Sequence, residues 1–96
     1  MELNQAAESF NALSQPSRLA IVSLLSQVGT AGARPSDMAA ALKLPANTLS
    51  FHLRQLRHAG LVTEERSGRD RIYRANAGAL HKLSLFLDET SSHSSI

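Results

Sequence analysis

Three leucines, at positions 49, 53 and 56, and a glycine at 60 fall on one narrow stripe when residues 46–59 are wound at about 100° per residue. The opposite side of the same helix carries Asn47, Ser50, Phe51, Arg54, Gln55 and His58. A segment patterned this way has one stripe to pack and one polar, basic face that must stay outside. The rest of the chain therefore has to supply a core for one side of it only. Gly60, just past the last periodic residue, reads as the left-handed residue that ends the helix.

The remaining elements are short. Leu3, Ala6, Phe10 and Leu13 form one stripe of a first amphipathic helix. Pro16 opens a second, in which Leu19, Ile21, Val22, Leu24, Leu25 and Val28 cover most of the girth, so this helix is expected at the centre. Residues 29–33 read as a loop, and Pro35 opens a short third helix with Asp37 in its first turn and Met38, Ala39 and Leu42 facing inward. Leu44-Pro45 interrupts that helix before the fourth. Residues 61–66 and 71–74 read as two strands joined by a turn at Ser67-Gly68-Arg69-Asp70. A last helix over about 76–89 presents Leu80, Leu83 and Leu87 on one stripe with Leu85 and Phe86 beside it, and the Ser-rich remainder is expected to fray.

Ninety-six residues leave room for one domain, expected over residues 1–90 with a tail at 91–96, and 43% apolar against 19% charged residues is a globular balance. A chain of this size buries only about two-thirds of its unfolded surface, so a second copy completing the core is plausible on size alone. There is no cysteine, which removes disulfides, zinc-thiolate sites and thiol catalysis together. No apolar run approaches the roughly 18 residues of a bilayer span, and the first residues do not read as a secretion signal, so a cytoplasmic protein without membrane contact is expected.

The net charge of +2 is unevenly spread: residues 50–74 sum to +3 and the other 71 to −1. Arg outnumbers Lys eight to two, and the planar guanidinium fork suits bidentate contacts with phosphate and guanine. The positive charge is thus concentrated on the fourth helix and the hairpin.

Mainly helical, with the order α-α-α-α-β-β-α, the chain reads as a winged helix-turn-helix domain. Asn47-Thr48-Leu49-Ser50-Phe51-His52-Leu53-Arg54-Gln55-Leu56-Arg57-His58-Ala59-Gly60-Leu61-Val62 resembles the recognition-helix signature of the ArsR-type (ArsR/SmtB) repressors, and Leu13-Ser14-Gln15-Pro16-Ser17-Arg18-Leu19 resembles the opening of their second helix. The similarity runs over roughly residues 5–90. It implies a metal- or metalloid-responsive regulator of transcription that binds a palindromic operator as a homodimer through its first and last helices. Leu3, Phe10, Leu80, Leu83 and Leu87 are the candidate dimer contacts, although part of each stripe folds onto the chain's own core.

The residues support DNA reading independently. Asn47 belongs to the polar face; Thr48, Ser50 and Gln55 suit base-edge hydrogen bonds, Phe51 a thymine methyl, and Arg54 a guanine or phosphate. Phe51 lies about 160° from the packed stripe, which favours a contact role over simple exposure. His52, about 60° from the stripe, reads equally as a boundary residue holding the helix or as a DNA contact. Arg66, Arg69 and Arg71 on the wing suit backbone phosphate or the minor groove, against the blander reading of a solvated hairpin.

What such a protein would sense is addressed by the family's ligand positions. Where members carry a thiolate pair at the third helix, this chain has Arg34 and Ser36; where they carry first ligands of a zinc-type site on the last helix, it has Asn76 and Gly78, with only His81 nearby. Some arsenic-sensing members carry paired cysteines just beyond the last helix, and the register here resembles theirs with Ser91, Ser92 and Ser95 at the thiolate positions. Serine cannot replace a soft thiolate toward trivalent arsenic. One reading is therefore a repressor of an arsenical-resistance type operon that lacks its sensing thiolates and, as it stands, binds no cofactor. Others are a repressor answering a different signal, an ordinary Ser-rich tail, and a winged-helix module that binds protein. Catalysis is not expected, because no phosphate loop, paired carboxylates or Ser/His/Asp constellation is present.

Overall fold

The structure, a computed structural model, describes residues 1–93. Five helices and one hairpin follow in the order α1 (Leu3–Ala12), α2 (Pro16–Val28), α3 (Pro35–Leu42), α4 (Ala46–His58), β1 (Val62–Ser67), β2 (Asp70–Ala75) and α5 (Ala77–His93). Among these residues no helix is long and apolar enough to cross a membrane.

Local chemistry sets most boundaries. At α1 the Glu2 carboxylate accepts from Gln5 N at 2.8 Å and the Gln5 amide oxygen accepts from Glu2 N, a reciprocal cap. Pro16 and Pro35 occupy the first turns of α2 and α3, where a missing N–H costs nothing. After α4, Gly60 takes φ +77°, its N–H donates to Arg57 O, and Leu61 N donates to Leu56 O at 3.0 Å. These two bonds satisfy carbonyls that the helix end leaves open. The hairpin pairs Val62 with Ala75 through Ser67 with Asp70, leaving a two-residue tip of Gly68 and Arg69. Gly68 has φ +64° while Arg69 does not go positive, the pattern of a type II′ turn.

The core gathers Ile21 and Leu25 of α2, Met38 of α3, Leu49, Leu53 and Leu56 of α4, and Leu61, each 2% exposed or less. Burying a side chain of this kind contributes about 1.5–3 kcal/mol, so the leucine stripe of α4 is a principal source of stability. Helix α2 touches α3, α4 and β2, as its apolar girth predicts, although Leu19 and Val28 remain exposed. In its place the buried set of α2 includes Arg18.

Three features differ from the sequence expectations. Residues 29–33 are more than a loop: Gly29–Ala31 forms a 3₁₀ turn, and Ala33 and Tyr73 exchange backbone hydrogen bonds of 2.9 and 2.8 Å. Gly32 lets the chain come this close. It has φ +69°, and a Cβ there would stand 2.5 Å from Ile72 Cγ2 and 2.9 Å from Tyr73 O. On α1 the buried face is Ala6, Ser9 and Ala12, with Leu3 outside it at 71% exposure. Helix α5 continues to His93 and does not fray after Glu89, because its last residues include nothing that breaks a helix. Ser91 and Ser92 therefore fall in its final turns, and Ser95 lies outside the described residues.

The chain measures 52 × 22 × 21 Å with a radius of gyration of 14.4 Å. A compact chain of this length is expected near about 12.5 Å. Leu3 on α1 and Leu85 and Leu87 on α5 remain uncovered.

Candidate nucleic-acid interface

The turn between α3 and α4 decides how α4 is presented. Lys43 adopts a left-handed φ of 55°, Leu44 N donates to Ala39 O at 3.0 Å, and Pro45 then starts α4. With Leu49, Leu53 and Leu56 in the core, Asn47, Ser50, Phe51 and Arg54 are turned into solvent and Thr48 and Gln55 lie at the margin. Phe51 is 49% exposed, a large aromatic left uncovered in the middle of a polar face. Arg54 makes no ion pair among the described residues. The exposed Asn47 side chain accepts locally from Thr48 N at 2.9 Å within the first turn of α4.

His52 does not belong to this outer set. It is 8% exposed, and its Nδ1 accepts from Arg18 Nε at 3.1 Å. Burial, helped by the Arg18 charge, holds its pKa below the ordinary 6.5. His52 is thus packed at the boundary of α4, as the first of its two sequence readings describes. Nothing local in the sequence marks Arg18, two residues after Pro16 at the start of α2, as buried.

The wing is tied to α4 through Glu64. Tyr73 Oη donates to its carboxylate at 2.6 Å, Arg57 Nη1 approaches at 3.4 Å, and Arg66 Nε at 3.9 Å. The Tyr73 hydrogen bond above all, with the charges of Arg57, Arg71 and Arg66, outweighs desolvation and lowers the Glu64 pKa below 4.5. On the other face of the hairpin Arg74 bonds Glu65 at 2.6 Å and Thr30 O at 2.7 Å, and Arg34 reaches Asp70 at 3.0 Å. These contacts hold the wing against the body. Arg66 and Arg71 stand directly opposite each other in the ladder, where like charges destabilise a hairpin. Together with the exposed Arg69 at the tip they make a basic edge on the wing.

Two of the suspected ligand positions, Asn76 and Arg34, are engaged in structural contacts. Asn76 spends both ends of its amide on structure: Nδ2 donates to Gly60 O at 2.9 Å and Oδ1 accepts from Ala79 N at 3.2 Å, capping α5 and fastening it to the end of α4. Arg34 is engaged with Asp70, and no group of three His, Cys, Asp or Glu residues comes together among the described residues. Of the suspected dimer contacts, Leu83 is 4% exposed inside the chain's own core, Phe10 and Leu80 are half-buried against it, and Leu3 and Leu87 are open at 71% and 51%.

Residues 13–65 match a helix-turn-helix domain family. Over 72 residues the chain is 40% identical to an HTH-type transcriptional repressor, SmtB, of Mycobacterium tuberculosis, an alignment covering 75% of this chain and 51% of the relative. The chain thus spans about half the length of the curated relatives it matches. Among solved structures, an ArsR-like transcriptional regulator from Rhodococcus sp. RHA1 superposes with a TM-score of 0.82 at 30% identity, covering 94% of this chain and 82% of that one. The homodimeric winged helix-turn-helix DNA-binding domain of a possible ArsR-family regulator from Mycobacterium bovis gives 0.74 at 28% identity, covering 96% and 83%.

The Glu64 cluster yields a pH-dependent expectation. A carboxyl whose folded pKa is depressed stabilises above its unfolded value and loses that contribution as pH falls through the folded one. Tyr73→Phe should cost about 1–2 kcal/mol at neutral pH in urea unfolding, and the gap to wild type should close as the buffer is acidified below the ordinary carboxylate range. A gap independent of pH would show that the Tyr73 hydroxyl contributes irrespective of the charge on Glu64.

Proposed function

This chain belongs to the ArsR/SmtB family of winged helix-turn-helix regulators, which are DNA-binding transcription factors and not enzymes, and on that premise we propose that it is a sequence-specific transcriptional repressor acting as a homodimer. One observation carries the reading: burying the leucine stripe of α4 leaves Asn47, Ser50, Phe51 and Arg54 together on an open face, flanked by the basic edge of the wing. Small polar side chains and an arginine on an exposed helix are what base edges in a major groove require, and Phe51 suits the thymine methyl. Thr48 and Gln55 extend this face at its margins. Arg66, Arg69 and Arg71 serve to position the protein on phosphate or in the neighbouring minor groove.

A dimer follows from size and from uncovered surface. One module reads few base pairs, and two recognition helices about 34 Å apart on a palindrome supply the missing affinity. The exposed Leu3 and Leu87, with Phe10 and Leu80 at their margins, are the surface offered to a second copy, as in the homodimeric Mycobacterium bovis domain. Leu83 contributes from beneath by fixing α5 on the core.

For the inducer, the finer reading rests on the register of the tail. Ser91, Ser92 and Ser95 stand where arsenic-sensing members carry thiolates, so the chain as it stands would repress without answering trivalent arsenic. A repressor answering another signal is the competing reading, supported by the likeness to the SmtB repressor of Mycobacterium tuberculosis.

Three outcomes are expected. Fluorescence anisotropy should show affinity for selected duplexes falling steeply with salt; Arg54→Ala should cost about 1–3 kcal/mol of specific binding, whereas Arg69→Ala should mainly lower the salt slope by about one. The reverse ranking would exchange reader and positioner, and affinity insensitive to salt would point to a protein-binding module. In sedimentation equilibrium the wild type should be dimeric at micromolar concentration and Leu87→Glu largely monomeric; a monomeric wild type removes the dimer. Finally, Ser91→Cys, Ser92→Cys and Ser95→Cys together should make DNA affinity fall on titration with arsenite, and unchanged affinity would end the arsenic reading.

A further inference from the structure

Among the described residues Arg18 is the one buried charge that the DNA-reading face does not account for. It is 8% exposed, yet no carboxylate pairs with it among the described residues. Burying a guanidinium without an anion is unfavourable, so its retained partners carry the meaning of the position. Both lie on α4. Arg18 Nε donates to His52 Nδ1 at 3.1 Å, and the guanidinium carbon lies 5.8 Å from the centroid of the Phe51 ring. The Phe51 and His52 rings in turn meet edge to face, 5.9 Å apart at 60°. A single side chain from α2 thus grips the packed boundary of α4 and its outward aromatic together.

The grip depends on a neutral His52. Nδ1 can accept from Arg18 only while it carries no proton, which places the ring's proton on Nε2. Arg18, from α2, is the charged group acting on His52. Glu8 of α1 and His58 of α4 line the crevice beside Arg18, together with Asn11 and Gln55. The Glu8 carboxylate in that crevice disfavours a DNA phosphate there, so a direct backbone contact by Arg18 is the weaker account.

We infer that Arg18 is a positioning residue for sequence reading: through the His52 acceptor and the Phe51 ring it fixes the rotation of α4 and the angle at which Phe51 enters the groove. The inference rests on the DNA-reading function proposed above and assigns its accuracy to a residue that does not touch DNA.

The test uses duplexes selected by the wild-type chain from a randomised pool, with a scrambled duplex as reference. Enrichment of no sequence would overturn the DNA-reading function itself. Given enrichment, Arg18→Lys keeps the charge but loses the planar fork and the Nε donor. Its preference for selected over scrambled DNA should fall about tenfold while the slope of log affinity against log salt stays as in wild type. Unchanged preference in Arg18→Lys overturns the inference, and so does an Arg18→Gln slope reduced by about one with preference intact, which would make Arg18 a phosphate contact. Should Arg18→Lys fail to fold, a pair at His52 decides. His52→Asn offers an oxygen near the Nδ1 position and should retain preference, while His52→Leu should lose about tenfold; equal behaviour overturns the inference. The wild-type preference should also fall as pH drops below about 6.5, and His52→Asn should abolish that fall. A fall that persists in His52→Asn overturns the dependence on His52.

Discussion

Leu49, Leu53 and Leu56 cannot enter the core without turning Asn47, Ser50, Phe51 and Arg54 outward, because side chains on one helix are locked 100° apart. The rest of the molecule depends on that coupling between what is buried and what is displayed. The surrounding contacts hold α4 at its margins. Lys43 and Pro45 set its entry, Gly60 and Leu61 close its last carbonyls, Asn76 fastens the Gly60 carbonyl to α5, and Arg57 reaches Glu64 on the wing. A helix anchored by core leucines and at both ends has little freedom to roll, which is what a surface that must match base edges needs.

The wing shows the opposite balance. Arg66 and Arg71 face each other across the ladder at a cost to the hairpin, and Glu64 with Tyr73 offsets part of it. The inner end of the hairpin is built for stability through Tyr73, whose backbone pairs with Ala33 and whose hydroxyl holds Glu64. Its outer end concentrates positive charge that finds few partners within the chain, a pattern that makes sense when the missing partner is an external anion. Packing contacts and exposed charge are thus separated along the same two strands.

Much of this was legible in the residues. The leucine stripe, the two helix-opening prolines, the cap at Gly60 and the turn at 67–70 are local signals, and each marks an element or boundary the structure contains. Illegible were contacts between residues far apart in sequence. Arg18 and His52 are 34 positions apart, and Thr30 and Arg74 are 44 apart. Gly32 read as loop punctuation, whereas it is the residue that lets the chain lie against Ile72 and Tyr73. The last helix ran further than its Ser-rich composition suggested, since serine weakens a helix without ending it.

By itself, then, the sequence determined which residues form helices and strands and which side of α4 would be polar and basic. Those properties follow from period and turn chemistry within a few residues. Only the tertiary structure decided that His52 turns inward, that a buried arginine from another helix holds it, that Asn76 is spent on capping, and that Leu83 belongs to the core while Leu3 and Leu87 remain uncovered. Each of those outcomes depends on which element packs against which, and at these positions the local pattern does not say which neighbours will cover them.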